Sequence, residues 1–180
     1  MDVVRVSKRL SFVLRHRPDS IGLTLDDAGW VGVDELLAAL ARSGMRLTRA
    51  ELDAVVAGND KQRFALDDAG TRIRASQGHS VPVALGYRHE IPPDVLFHGT
   101  VQHFVPAILA EGLRPGQRHA VHLSPDVATA SAVGGRRGRP VVLRVDAAAM
   151  VADGLLFTRS ANGVWLTDAV PARYLELAGD

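Results

Sequence analysis

The sequence predicts an α+β protein of two lobes, and three observations carry that prediction. The first half holds three apolar patterns of helical period, followed by two short strands around an Asp-Gly turn. The second half is mostly short apolar runs of strand length, separated by Gly, Pro and Asn, with few helical stretches. Between them Pro82 to Pro93 carries three prolines and reads as a connector, so the lobes are expected at 1–90 and 91–180. With 180 residues and 47% hydrophobic content, each lobe has material for a core.

Composition bounds the function. The formal net charge is +1, with 13 basic against 12 acidic residues over 1–93 and 8 against 8 over 94–180. A chain so balanced does not coat nucleic acid nonspecifically; a polyanion site here has to be a focused patch. Cysteine is absent, which removes disulfides, thiolate metal sites and a cysteine nucleophile. No apolar run approaches the ~20 residues that span a bilayer, and Met1-Asp2 opens no signal peptide, so a cytoplasmic location is expected. There is no internal repeat, and only Gly134–Pro140 is compositionally odd.

The first helix is read over Ser7–Arg17, ending at Pro18, with Leu10, Val13 and Leu14 on a core-facing side. Arg15, His16 and Arg17 fall together at its end. Two readings stay open there: cations answering the helix dipole, or an arginine fork gripping a phosphate with a histidine beside it. A short strand or bridge is expected around the turn Asp26–Gly29 and Trp30-Val31. Asp34 is expected to cap a helix over Glu35–Arg42 that Gly44 stops. Thr48 and Glu51 have capping-box spacing, which places a helix over Arg49–Ala57 ending at Gly58. Arg63–Leu66 and Thr71–Arg74 flank Asp67–Gly70 as a hairpin. Helix, helix, helix, hairpin is the order of a winged-helix domain. Alternation puts Arg72 and Arg74 on one strand face, which is either solvated or a phosphate-contacting wing. His79, in Gly78-His79-Ser80, reads as polar surface, and Gly78 as a place where the backbone can approach a ligand.

In the second lobe Val95–Phe97 is a strand expected to end in His98-Gly99-Thr100, and Val105–Glu111 a helix stopped by Gly112. Val121–Leu123 is a strand, after which Ser124 caps a helix that Pro125 opens and Asp126–Val133 continues. Val141–Val145 is a strand, Asp146 caps Ala147–Met150, and Leu155–Phe157 is a further strand. Asn162-Gly163 turns the chain into Val164–Thr167, and Tyr174–Leu177 closes a compact mixed sheet. His119 and His122 lie three apart on a strand with no zinc-ligand pattern, so no metal is expected. Nor is there a nucleophile elbow, a GxGxxG or a Walker loop. The residues alone point to anion handling.

Seven pieces, in order along nearly the whole chain, extend that reading. They are Ser7-Lys8 with Leu14-Arg15-His16; Trp30-Val31; Asp60-Lys61-Gln62-Arg63-Phe64; Gly78-His79-Ser80; Leu96–Thr100; Val121–Ser124; and Asn162–Thr167. Together they resemble the RNA 2′-phosphotransferase family, the KptA-type enzymes linked to tRNA splicing. The resemblance implies a winged-helix-like RNA-binding first lobe and an ADP-ribosyltransferase-like second lobe that holds NAD⁺, consumed as co-substrate. It implies a two-step reaction on RNA carrying an internal 2′-phosphate. The phosphate attacks the nicotinamide-bearing ribose carbon and nicotinamide leaves. The adjacent ribose hydroxyl then attacks phosphorus, releasing 2′-hydroxyl RNA and ADP-ribose 1″,2″-cyclic phosphate.

Motif by motif, the resemblance carries a catalytic cluster to Arg15, His16, Arg63 and Arg118, and cofactor contacts to His98, Gly99, Thr100, His122 and Ser124. A phosphate is already ionised, so the first step needs mainly positioning, while charge built at phosphorus in the second is what preorganised arginines stabilise. His16 is assigned to the departing RNA oxygen. Trp165, Asn162 and Gly163 are read as structural. One departure stands out: the family pattern Arg-x-His-Val-His-Leu/Phe-Ser has Ala120 in place of its first histidine, so Arg118 is placed by register, with Arg114 as the alternative. Two further functions remain open. One is an ADP-ribosyltransferase acting on nucleic-acid phosphate ends or another acceptor; the other is a non-catalytic, NAD-sensing winged-helix protein. A monomer with no membrane partner is expected.

Overall fold

The computed structural model describes residues 2–59 and 61–179, together with the backbone but not the side chain of Arg137. Asp60, part of one motif above, lies outside the described residues, as do Met1 and Asp180. The chain forms two compact units, Met1–Gly86 and Tyr87–Asp180. Each is a mixture of helices and small antiparallel sheets.

In the first unit the order is α1 (Val3–Arg15), β1 (Val31–Gly32), α2 (Val33–Arg42), α3 (Arg49–Ala57), β2 (Phe64–Leu66) and β3 (Arg72–Ala75). The Asp2 carboxylate caps α1 by accepting the Arg5 N–H at 3.0 Å, and Val6, Leu10, Val13 and Leu14 bury one stripe of it. The helix begins and ends earlier than its pattern suggests. Arg15 is its last residue, His16 its C-cap, and Arg17 lies outside with its guanidinium on Asp19 at 3.1 Å. Pro18 accounts for this, because a residue before proline is driven out of the helical region. The grouping of three cations is therefore a pair, Arg15 and His16.

Gly32, not Asp34, is the N-cap of α2, since β1 runs straight into the helix and the Val33 N–H is taken by Thr71 O at 2.9 Å. Gly44 ends it as expected. In the left-handed region (φ 90°), it lets Gly44 N–H reach Ala41 O and Met45 N–H reach Leu40 O. The capping box of α3 forms, with Glu51 N–H on Thr48 Oγ1 and Thr48 N–H on Glu51 Oε2. The sheet has β3 at its centre between β1 and β2, pairing Val31 with Ile73 and Phe64 with Ala75. Leu10, Leu14, Leu36, Leu40, Leu52 and Ile73 fill the core beneath it.

Arg72 and Arg74 do share a face, on which Arg72 is exposed and Arg74 half-buried. Both guanidiniums lie over the Trp30 ring, at 5.4 and 4.5 Å from its centroid. Arg72 also binds the Asp67 carboxylate at 3.1 Å, and Arg74 donates to Ala28 O and Leu85 O. They clamp the hairpin to the turn at Asp26–Gly29.

The second unit has two three-stranded antiparallel sheets rather than one mixed sheet. One is β4 (Val95–Val101), β6 (Pro140–Asp146) and β9 (Leu175–Leu177); the other is β5 (Val121–Leu123), β8 (Trp165–Thr167) and β7 (Thr158–Arg159). A bridge between Phe97 and Ser124 joins them, with both N–H···O bonds made. The helices are α4 (Val105–Glu111), α5 (Val127–Gly134) and α6 (Ala147–Ala152), the last capped by Asp146 as expected. Ser124 does not cap α5. Its backbone is committed to the bridge, and Asp126 accepts the Thr129 N–H instead. Leu155–Phe157 is not a strand, because Leu155 N–H closes the end of α6 on Met150 O.

Strand β4 runs through His98-Gly99-Thr100 instead of ending there. Helix α5 lies so close to it that a Cβ on Gly99 would sit 1.7 Å from Ala130 O. That contact requires glycine at 99.

Candidate active site

The first unit gathers Arg15, His16 and Arg63 at the end of α1. Arg15, its side chain partly buried, donates from Nη2 to Arg63 O at 3.5 Å, the limit of a hydrogen bond. Arg63 is aimed by Asn59: its Nη1 donates to Asn59 Oδ1 at 3.0 Å, and the same oxygen accepts the Lys61 N–H at 3.2 Å. His16 Nδ1 is 3.0 Å from Ser80 Oγ. The segment carrying Ser80 is strapped to the helix end, because Arg15 O accepts the Ser80 N–H at 2.9 Å.

Gly78, expected to admit a ligand to the backbone, faces the Arg15 guanidinium; a Cβ there would lie 3.7 Å from Nη1. His79 is not polar surface but 2% exposed, with Nε2 packed over Gly29. Burying an imidazole in the middle of the strap anchors Gly78 and Ser80 on either side of it. Asn59 stands outside the motifs above, although Gly58-Asn59 after a helix and before a strand is the composition of a turn in which an Asn side chain bonds the backbone two residues on.

In the second unit His98, His122 and Ser124 meet where β4 crosses β5. His98 Nδ1 donates to His122 O at 3.1 Å, and His122 Nδ1 donates to Ala120 O at 2.9 Å. A carbonyl can only accept, so both rings carry the proton on Nδ1 and present Nε2 as an acceptor when neutral. Burial holds the pKa of His98 below its usual value. The His122 carbonyl opposes that shift, and the Arg118 charge adds to it. The Ala120 departure thus leaves the positioning of His122 intact, because the group that orients this ring is the backbone carbonyl of residue 120. Thr100 is buried, and Gly99 is occupied on its Cβ side by α5. Imidazole nitrogens and a hydroxyl are groups that can bond the hydroxyls and amides of a ligand.

Among the described residues no set of three or more His, Asp or Glu is placed to hold a metal ion, and no helix is long and apolar enough to cross a membrane.

Residues 1–169 match the sequence model of a family described as RNA 2′-phosphotransferase, Tpt1/KptA family. The chain is 62% identical over 172 residues to a probable RNA 2′-phosphotransferase of Streptomyces coelicolor, covering 96% of this chain and 93% of the relative. It is 59% identical over 174 residues to one from Agrobacterium fabrum, covering 97% and 94%. To one from Burkholderia lata it is 56% identical over 176 residues, covering 97% and 91%.

Proposed function

The chain belongs to the RNA 2′-phosphotransferase family, and we propose that it removes an internal 2′-phosphate from RNA by transferring it to NAD⁺. One observation carries the reading furthest: two arginines and a histidine from two separate stretches of the first unit are brought together and held by a backbone carbonyl, an amide oxygen and a serine hydroxyl. Such an arrangement fixes guanidinium direction before a substrate arrives, which is how charge stabilisation costs no reorganisation during reaction.

Arg15 and Arg63 bind the 2′-phosphate, and Arg118 stabilises charge that builds on phosphorus as it is transferred. His16, steadied by Ser80, donates a hydrogen bond or proton to the oxygen that leaves with the RNA. His98, His122, Ser124 and Thr100 hold the NAD⁺ sugars and amide, with Gly99 allowing α5 to close behind the strand. When bound, NAD⁺ supplies the ribose that accepts the phosphate. The element order helix, strand, helix, helix, strand, strand in the first unit supports a winged-helix-like RNA lobe over 1–90, and the paired antiparallel sheets of the second suit an ADP-ribosyltransferase-like lobe over 91–180. The expected setting is a cytoplasmic monomer acting on tRNA-like substrates.

The test is incubation with NAD⁺ and a short RNA bearing one internal 2′-phosphate, with RNA and nucleotide products resolved together. Release of 2′-hydroxyl RNA with ADP-ribose 1″,2″-cyclic phosphate is the expected result. RNA that keeps its phosphate and gains an ADP-ribosyl mass would make the protein an ADP-ribosyltransferase instead. Intact RNA and intact NAD⁺ would remove both activities.

A further inference from the structure

Resting on the reading that the substrate is RNA, we infer that the outward face of α1 is the track along which the RNA strand adjoining the 2′-phosphate lies. The helix carries Arg5, Lys8, Arg9 and Arg15 and no acidic residue within Val3–Arg15. At 100° per residue, Arg5, Lys8, Phe12 and Arg15 follow one another at i, i+3 and i+4 steps, opposite the buried stripe of Val6, Leu10, Val13 and Leu14. The stripe ends at the candidate phosphate residues Arg15 and His16. At 1.5 Å per residue it is about 15 Å long, enough to follow a few nucleotides.

Phe12 stands in the middle of this row. It is 42% exposed, and the Arg9 guanidinium lies 5.8 Å from its ring centroid. A basic groove or stripe with an interposed aromatic is the composition that binds single strands: cations take the phosphates and a base stacks on the ring.

The rest of the unit points the same way by charge. Helix α3, which reads bases in an ordinary winged helix, is Arg49–Ala57 with Glu51 and Asp53, and its one arginine is tied to Asp53 at 2.8 Å. Helix α2 has Asp34 and Glu35 in its first turn. Both are net acidic and repel a polyanion. The hairpin cations are turned onto Trp30, Asp67 and backbone carbonyls. Of the three helices, α1 alone is net basic.

The test uses equilibrium binding of a fluorescent ten-nucleotide RNA without any 2′-phosphate, measured at several salt concentrations with the full-length protein. It needs neither NAD⁺ nor turnover. Lys8→Gln/Arg9→Gln is expected to weaken binding and to flatten the log–log salt slope by about 1.4, the value for two phosphate contacts on a single strand. Phe12→Ala is expected to weaken binding about tenfold, while Phe12→Tyr, which keeps a stacking ring, stays near the parent. Arg42→Gln, an exposed arginine at the end of α2, serves as the charge control and is expected to leave the slope unchanged. An unchanged slope in the double variant, or an equal loss in Arg42→Gln, would overturn the inference. Because binding is read without chemistry, an α1 track in a protein that does not remove 2′-phosphate would sink the proposed reaction alone.

Discussion

The two candidate groupings solve different problems with different chemistry. In the first unit the working groups are cations at the end of a helix and in a loop, aimed by Asn59, the Arg63 carbonyl and the strap at Ser80. In the second they are imidazoles inside strands, each fixed by an Nδ1–H bond to a backbone carbonyl. A guanidinium stays charged at any pH a cell meets, and offers two parallel donors to a phosphate. A buried imidazole held below its ordinary pKa is a neutral acceptor, suited to a hydroxyl or amide and averse to a second cation. The difference teaches that charge matters on one side and neutrality on the other, so variants should separate them.

The largest separation is expected from the arginines. Arg63→Ala removes a proposed phosphate ligand with the surrounding turn still closed by Lys61 N–H on Asn59. Turnover should fall by about a thousandfold or more, roughly 4 kcal/mol of transition-state stabilisation, with the melting temperature little changed. Arg63→Lys should recover only part of it, because a point charge does not replace a planar fork. A Lys variant as active as the parent would mean that bidentate geometry is not what the first unit supplies.

Next in size is Gly99→Ala, which asks why glycine stands within a row of proposed cofactor contacts. A Cβ at 1.7 Å from Ala130 O forces β4 and α5 apart, and such overpacking costs about 3 kcal/mol. Thermal unfolding of the second unit should show that loss without any ligand present. If stability is unchanged and only NAD⁺ affinity falls, Gly99 belongs to the cofactor site rather than to packing. A smaller loss, about 1 kcal/mol, is expected in the first unit from Thr48→Ala, which removes the side-chain cap of α3. Activity should survive it, since α3 contributes none of the candidate groups.

What the sequence made legible follows from how local each signal is. The capping box at Thr48, the Gly44 and Gly112 stops, the Asp146 cap and the turn at Asn162-Gly163 are decided by a few adjacent residues, and all form. Features that depend on a distant partner were misread. Asp34 lost its capping role because Thr71, far along the chain, already held the Val33 N–H. Ser124 lost its own to a bridge with Phe97. Among the candidate residues, the helix end marks Arg15 and His16 as basic but leaves the dipole and anion-clamp readings both open. Asn59 and the buried strap at His79 were not legible, because their meaning comes from what Arg63 and Arg15 do across the fold.

The finest test of the comparison is pH. Burial lowers the His98 pKa in the folded protein beneath its unfolded value near 6.5. Between those two values the unfolded chain binds more protons than the folded one, so stability rises with pH and is lost on acidification. The loss is complete once pH falls below the folded pKa, where both states are protonated. Stability of the second unit should therefore fall as the pH is lowered through 6.5, and His98→Gln should flatten that dependence. NMR of the His98 ring should show a titration midpoint below 6.5, with Nδ1 carrying the proton above it. Arg15 and Arg63 keep their charge over the whole window, so the affinity of the first unit for sulfate, an anion of fixed charge, should not follow the same curve. A parallel acid loss in sulfate binding would show that the two units are not divided into charged and neutral halves as their hydrogen bonds imply.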